Sequence, residues 1–178
     1  MKRVADEQQA LDFGDLGFSR SAVLSPDEQY RYRLDRQWTH GPTLAWVMLN
    51  PSTADGVTDD ATLTRITRFS RYWGFGALTV VNLYAWRATD PAELWSTGDP
   101  VGPDNDRHIY EGVAGHEVVV AWGAHGRPDR IALVLRLIAS APGTGRPLAL
   151  ALTKNGQPRH PLYLRSDLTP QPWENPDA

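Results

Sequence analysis

Residues 43–74 read TLAWVMLNPSTADGVTDDATLTRITRFSRYWG, and the two ends of this stretch carry different periodicities. From Thr43 to Leu49 the run is almost wholly apolar, the pattern of a strand covered on both faces, as a parallel sheet sandwiched between helices requires. From Ala61 onward Leu63, Ile66, Phe69 and Trp73 recur at helical steps, the buried stripe of an amphipathic helix. Asp59 or Asp60 stands where an N-cap belongs, and Gly74 where a left-handed residue closes a helix. Between strand and helix the chain passes through Asn50-Pro51. Proline lacks an N–H and biases the residue before it towards extended backbone, so the strand ends on an amide that can face a cleft.

The same rhythm continues outward. The stretch 77–86, ALTVVNLYAW, reads as a second strand, and PDNDRHIYEGVAG as a helix starting near Asp104. EVVVAWG is a third strand, PDRIALVLRLIASA an apolar helix, and PLALALT a fourth strand. Upstream, FSRSAVLS and YRYRLDRQW alternate in character around SPDEQ, which predicts a β-hairpin over about 18–38. Ser25 and Glu28 could instead form a capping box with Pro26 at the first helical position; the alternation favours the hairpin. The Pro-rich end, about 169–178, reads as a loosely ordered tail. The expected fold is α/β, a three-layer α/β/α sandwich with a central, mainly parallel four-stranded sheet plus the hairpin, in one domain over 1–178.

Composition narrows the function classes. With 178 residues and 41% hydrophobic content, the chain can bury a real core. No apolar run reaches bilayer length, and the start lacks the apolar stretch of a signal peptide, so a cytoplasmic protein is expected. Zero cysteines exclude disulfides, thiolate nucleophiles and cysteine-ligated zinc, and the five histidines are widely scattered, so no metal or cofactor is demanded. A net charge of −3 argues against a surface uniformly coated by nucleic acid, while seven Trp and six Tyr supply flat rings that pack in a core or stack on bases.

In a parallel sheet, ligands bind beyond the carboxyl ends of the strands. The segments there are Asn50 to Thr53, Asn82 to Tyr84, Trp122 to His125 and, after a longer connection, His160 to Tyr163. Asn50 can hold a water or donate to an anion, or simply start an Asx turn. Asn82, inside an apolar stretch, can read the edge of a base or make a structural hydrogen bond. His160 and His125 can stabilise charge near neutral pH or be merely exposed. Asp55, Asp59 and Asp60 could bind magnesium, but a helix cap is favoured. Arg65, Arg68 and Arg71 could track phosphates, or be a solvated helix face.

The segments YRYRLDRQW, LNPSTAD, NLYAWRATDP and HPLYL resemble a bacterial family catalogued as a domain of unknown function, number 1643. Four short motifs between Val47 and Leu164 also resemble the uracil-DNA glycosylase superfamily. MLNPS is similar to its first motif, of the form GQDPYH or GINPG, with Met48 in place of the usual Gly. That likeness implies that Asn50 positions a hydrolytic water. LTVVNLYAWRAT implies base recognition by Asn82; AWGAHGR resembles LWGSHAQ; HPLYL resembles HPSPLS, implying a catalytic His160 and a wedge at Leu162, Tyr163 or Leu164.

The resemblance implies a DNA glycosylase that hydrolyses an N-glycosidic bond, with base flipping and without a cofactor. Asn50 and His160 are its catalytic residues. Asn82, Pro51, Ser52 and Tyr84 would bind the base, and Leu162, Tyr163, Leu164, Arg87 and His125 the DNA. Ser52 stands where the uracil-specific enzymes carry a Tyr that excludes 5-substituted bases, so the expected substrate is a deaminated, damaged or modified base, not necessarily uracil. Trp86, Trp122 and Tyr72 join Tyr84 as candidates to stack on it, while Phe75 fits the core equally well. The expected partner is single- or double-stranded DNA, bound by a monomer associated with the nucleoid. Two alternatives stand beside this reading: a non-catalytic nucleic-acid or nucleotide-binding protein on the same fold, and a metal-dependent phosphoryl-transfer enzyme using the Asp55, Asp59 and Asp60 loop.

Overall fold

A computed structural model describes residues 11–13, 18–52, 54 and 56–176. Its strands are Leu11–Phe13 (β1), Phe18–Leu24 (β2), Arg31–Gln37 (β3), Thr43–Met48 (β4), Ala77–Asn82 (β5), Glu117–Val120 (β6), Leu148–Ala149 (β7) and Gln171–Pro172 (β8). They form one mixed sheet in the order β1-β2-β3-β5-β4-β6-β7-β8. β4 runs parallel to β5 and β6, and β6 parallel to β7; β3 joins antiparallel to β5. The sheet is therefore wider than the four strands expected. The hairpin β2–β3 extends it rather than standing apart, with Leu34 paired to Val80.

Three helices cover the sheet: Ala61–Tyr72 (α1), Asn105–Val113 (α2) and Pro128–Ser140 (α3). Side-chain alternation along β4 sorts them onto two faces. Leu44, Trp46 and Met48 meet Leu63, Ile66 and Phe69 of α1. Ala45 and Val47 face the other way, towards Ile109 and Val113 of α2 and Ile131, Val134 and Ile138 of α3. The Trp46 indole N–H, wholly buried, donates to Ser70 Oγ at 3.1 Å, and Ser70 Oγ donates on to Ile66 O, so the polar atom under α1 is satisfied. At Gly112 a Cβ would stand 2.9 Å from Val81 Cγ1; the missing side chain lets α2 lie close on β5.

Both ends of α1 are as the residues imply. Asp60 Oδ1 accepts from Leu63 N at 2.7 Å, and Gly74 turns the chain away at φ +87°. The expectation of a loose tail is corrected. β8 pairs antiparallel with β7, and Trp173 is 4% exposed, edge-on to Trp122 with ring centroids 5.3 Å apart and its indole N–H on Gly156 O. One large ring buries enough apolar surface to dock an otherwise polar segment. Asp177 and Ala178 lie outside the described residues.

β4 and β6 are neighbours, yet the chain leaves β4 for α1 on one face and β6 for α3 on the other. Their carboxyl ends thus part and open a crevice, where α/β sheets place their ligands. Among the described residues no helix is long and apolar enough to cross a membrane.

Candidate functional site

A cavity of about 590 Å³ occupies that crevice. It gathers residues from every strand end singled out by the sequence: Asn50 and Ser52 after β4, Asn82 ending β5, His125 after β6, and His160 with Leu162 from the later connection. Tyr163 stands at its wall, 89% exposed. Its apolar base comes from Met48, Leu63, Ile66 and Val80.

Asn50 is held by its amide. Nδ2 donates to Pro51 O at 3.1 Å and to Ala88 O at 2.7 Å, so both N–H bonds are spent on backbone carbonyls. Two carbonyls on one side fix the amide's orientation, because an oxygen there would face them in repulsion. Oδ1 is the atom left to accept a hydrogen bond. Pro51 is buried and does not line the cavity; its carbonyl accepts from Asn50 and from Ala88 N. It acts through Asn50.

Asn82 is 1% exposed, and its Nδ2 has no hydrogen-bond partner among the described residues. Around it the backbone is tied down: Asn105 Nδ2 donates to Asn82 O and Leu83 O, and Arg130 Nε to Leu83 O at 2.7 Å. Arg130 is itself held by Asp106 at 2.6 Å. These bonds satisfy the carbonyls where β5 stops pairing and hold Asn82 at the cavity with an unused donor. Sequence reasoning missed Asn105 and Arg130, since neither lies in a strand-end motif.

His160 caps the short 3-10 turn Pro161–Tyr163, with Leu162 N donating to Nδ1 at 3.4 Å. Accepting at Nδ1 puts the proton of the neutral ring on Nε2. Lost hydration lowers the imidazole below its ordinary value, against an opposing pull from the Asp60 carboxylate. The ring stays exposed at the cavity wall, and the downward shift favours its neutral form, with the N–H on Nε2. An NMR titration should place its midpoint below 6.5, and Asp60→Asn, which removes the opposing charge but keeps a capping side chain, should move it lower. Asp60→Ala should also cost about 1 kcal/mol of stability through the lost cap, with Asp60→Ser restoring it, read by denaturant unfolding.

Several expected residues stand elsewhere. Tyr84 is buried on the α2 and α3 face, edge-on to Trp95, with its hydroxyl accepting from Arg127 N at 3.1 Å. Burial raises its pKa, and the ring is out of reach of the cavity. Leu164 is in the α1 core, its carbonyl bonded by Arg65, which leaves Leu162 and Tyr163 at the surface of this segment. Arg87 donates to Glu28 O and holds the hairpin tip. Of the aromatic candidates for stacking, Tyr72 is exposed on α1 and Trp86 packs on Tyr30; Trp122 lines the cavity, its indole N–H on Gln157 Oε1. Phe75 packs against the α1-face core.

Arg31 was also missed. It is 5% exposed, lines the cavity and donates through Nη1 to Ala54 O, bracing the loop after β4. Asp60 contributes a carboxylate to the cavity beyond its cap. Asp59 is taken up by Arg36 at 2.9 Å, and Asp55 lies outside the described residues. Among the described residues no group of three His, Asp or Glu could hold a metal ion.

One family profile, for a protein of unknown function (DUF1643), matches residues 31–162. The chain belongs to the DUF1643 family. No curated protein and no solved structure matches it. The DUF1643 match begins at Arg31 and ends at Leu162, two residues that line the same cavity, and it spans β3 through the His160 cap. Hairpin strand β2 and the Trp173 segment fall outside it.

Proposed function

We propose that this DUF1643 protein is a DNA base-excision glycosylase of the uracil-DNA glycosylase type, acting on a deaminated, damaged or modified base. One observation supports this above the rest: Asn50, Asn82 and His160, from three separate segments, line one cavity. Its volume lies within the roughly 300–1,000 Å³ of small-molecule sites, which suits a flipped nucleoside. The four parallel strands β5-β4-β6-β7 at the centre of the sheet are consistent with that superfamily's core.

The chemistry follows from which atoms are unspent. Asn50 Oδ1 orients a water towards C1′ of the sugar. The C1′–N bond breaks with its electron pair on the base, and charge accumulates on a base carbonyl. Asn82 Nδ2–H and His160 Nε2–H are the donors for that oxygen. Water adds its oxygen to C1′ and gives up a proton, which neutralises the departing base. Ser52, half-buried at the wall, is too small to exclude a ring substituent.

The test is a set of oligonucleotides carrying uracil, hypoxanthine, xanthine or 5-substituted pyrimidines, incubated with chelator and assayed for abasic sites. Product from at least one base is expected. Saturable binding without abasic product from any of them would replace this reading with a nucleic-acid-binding module, and cleavage only on adding magnesium with phosphoryl transfer.

A further inference from the structure

A second hollow, of about 530 Å³, lies on the α1 face at the opposite edge of the sheet from the cavity. Thr67 and Arg71 of α1 form one wall, Arg20 of β2 with Arg36 of β3 the other, and Trp38 and Asp59 complete it. The two hollows share no lining residue, but the same two elements, β3 and α1, run from one to the other. β3 runs antiparallel to β5, so its first residues, Arg31 and Leu34, line the cavity while its last, Arg36 and Gln37, line the hollow. On the facing wall α1 supplies Leu63 and Ile66 to the first and Thr67 and Arg71 to the second. Leu63 at the cavity and Arg71 at the hollow are eight residues apart on α1, about 12 Å at 1.5 Å per residue.

The charge of the hollow is opposite to that of the chain. Three arginines face one aspartate there, although the protein as a whole carries −3. The arrangement is built rather than incidental. Arg36 is 4% exposed and grips Asp59 Oδ1 through Nε and Nη2 at 3.0 and 2.9 Å. Arg20 stands 3.6 Å from the same oxygen and donates to Val57 O at 2.8 Å. One carboxylate thus positions two guanidiniums and neutralises one. Arg71 lies over the Trp38 ring at 5.1 Å and has no ion pair among the described residues. A guanidinium stacked in this way keeps its N–H edge for an anion, in the planar fork that suits phosphate.

We infer that this hollow binds the phosphodiester backbone of the single strand that carries the target base, with Arg20 and Arg71 contacting successive phosphates as the strand leaves the cavity. The inference rests on the nucleic-acid reading above and adds which path the strand takes. A strand is favoured over an acidic peptide because the hollow lies about two turns along α1 from a nucleoside-sized cavity.

The experiment is fluorescence-anisotropy binding of a labelled oligothymidylate of about 15 nucleotides to the full chain, with folding of each variant checked by circular dichroism. Arg71→Glu and Arg20→Glu should each weaken binding about tenfold, and Arg71→Ala should flatten the slope of log affinity against log salt by roughly 0.7, one phosphate's share on a single strand. Arg71→Lys should recover most of the loss, and Arg136→Glu, exposed on α3, should change nothing. If the wild type binds and both charge reversals bind equally well, the hollow is not on the path. Equal displacement by polyglutamate would also overturn the proposal. Abasic product formed with an unchanged KM in the charge reversals sinks this inference and leaves the glycosylase standing. Binding that depends on the arginines, with no abasic product from any base, does the reverse.

Discussion

Replacing His160 with Ala should slow formation of abasic sites by about 100- to 1,000-fold, the effect of losing one donor aimed at developing negative charge. Binding should hardly change, because the charge that His160 meets exists only in the transition state. Below the imidazole's midpoint the ring becomes a cation, so the wild-type profile should break on the acid side of pH 6.5 and be flat above it. His160→Ala should remove that break, a readout that simple loss of packing would not produce. Asn50→Ala should lower the rate comparably. Asn50→Asp is the more telling variant, since it installs the carboxylate found in the GQDPYH form of the motif. Here it sets an anionic oxygen against Pro51 O and Ala88 O, which now accept from Nδ2. The change should therefore destabilise the loop by about 1–3 kcal/mol rather than accelerate hydrolysis.

Trp173→Ala should cost about 3–5 kcal/mol of folding stability, seen as a lower urea midpoint with an unchanged slope. The ring is 4% exposed, packs on Trp122 and donates to Gly156 O, so its loss leaves a cavity and an unpaired carbonyl together. The effect should reach the cavity as well, because Trp122 lines it and is held by Gln157. Trp173→Phe, which keeps most of the apolar surface, should recover more than half of the stability. A tail without structural consequence would give no change in either variant.

That contrast shows where sequence reading reaches its limit. β4, α1, β5, α2, β6 and α3 were legible because each is long enough to display a period, and helix α1 also shows both caps. β8 was not: two residues have no period, and the prolines around Trp173 signal looseness while a single ring provides the anchorage. The cavity was legible in outline because parallel strands put their carboxyl ends on one edge. Tyr84 shows the failure. Two residues past Asn82, alternation would keep it on the α1 face with Leu78 and Val80, but the regular ladder breaks there, Leu83 N and Tyr84 N bonding the consecutive carbonyls of Met48 and Leu49. Asn105 and Arg130 then bind the next carbonyls, and Tyr84 turns into the other core. Such long-range bonds leave no local pattern. Arg31 was read as part of a hairpin, and nothing in its neighbours says that the next strand over would be β5.

The placement of β5 between β3 and β4 has a consequence for synthesis. The β2–β3 hairpin is local and can form as soon as Gln37 has emerged, but the strand that follows it in sequence is not its neighbour in the sheet. β3 must wait for residues 77–80 before its open edge is paired, and β4 waits for the same strand on one side and for β6 on the other. A chain growing at a few residues per second therefore carries two unpaired strand edges at once, the condition in which nascent proteins aggregate or need a chaperone. The three arginines of β3, Arg31, Arg33 and Arg36, put charge on that waiting strand, the feature that discourages premature pairing with another chain.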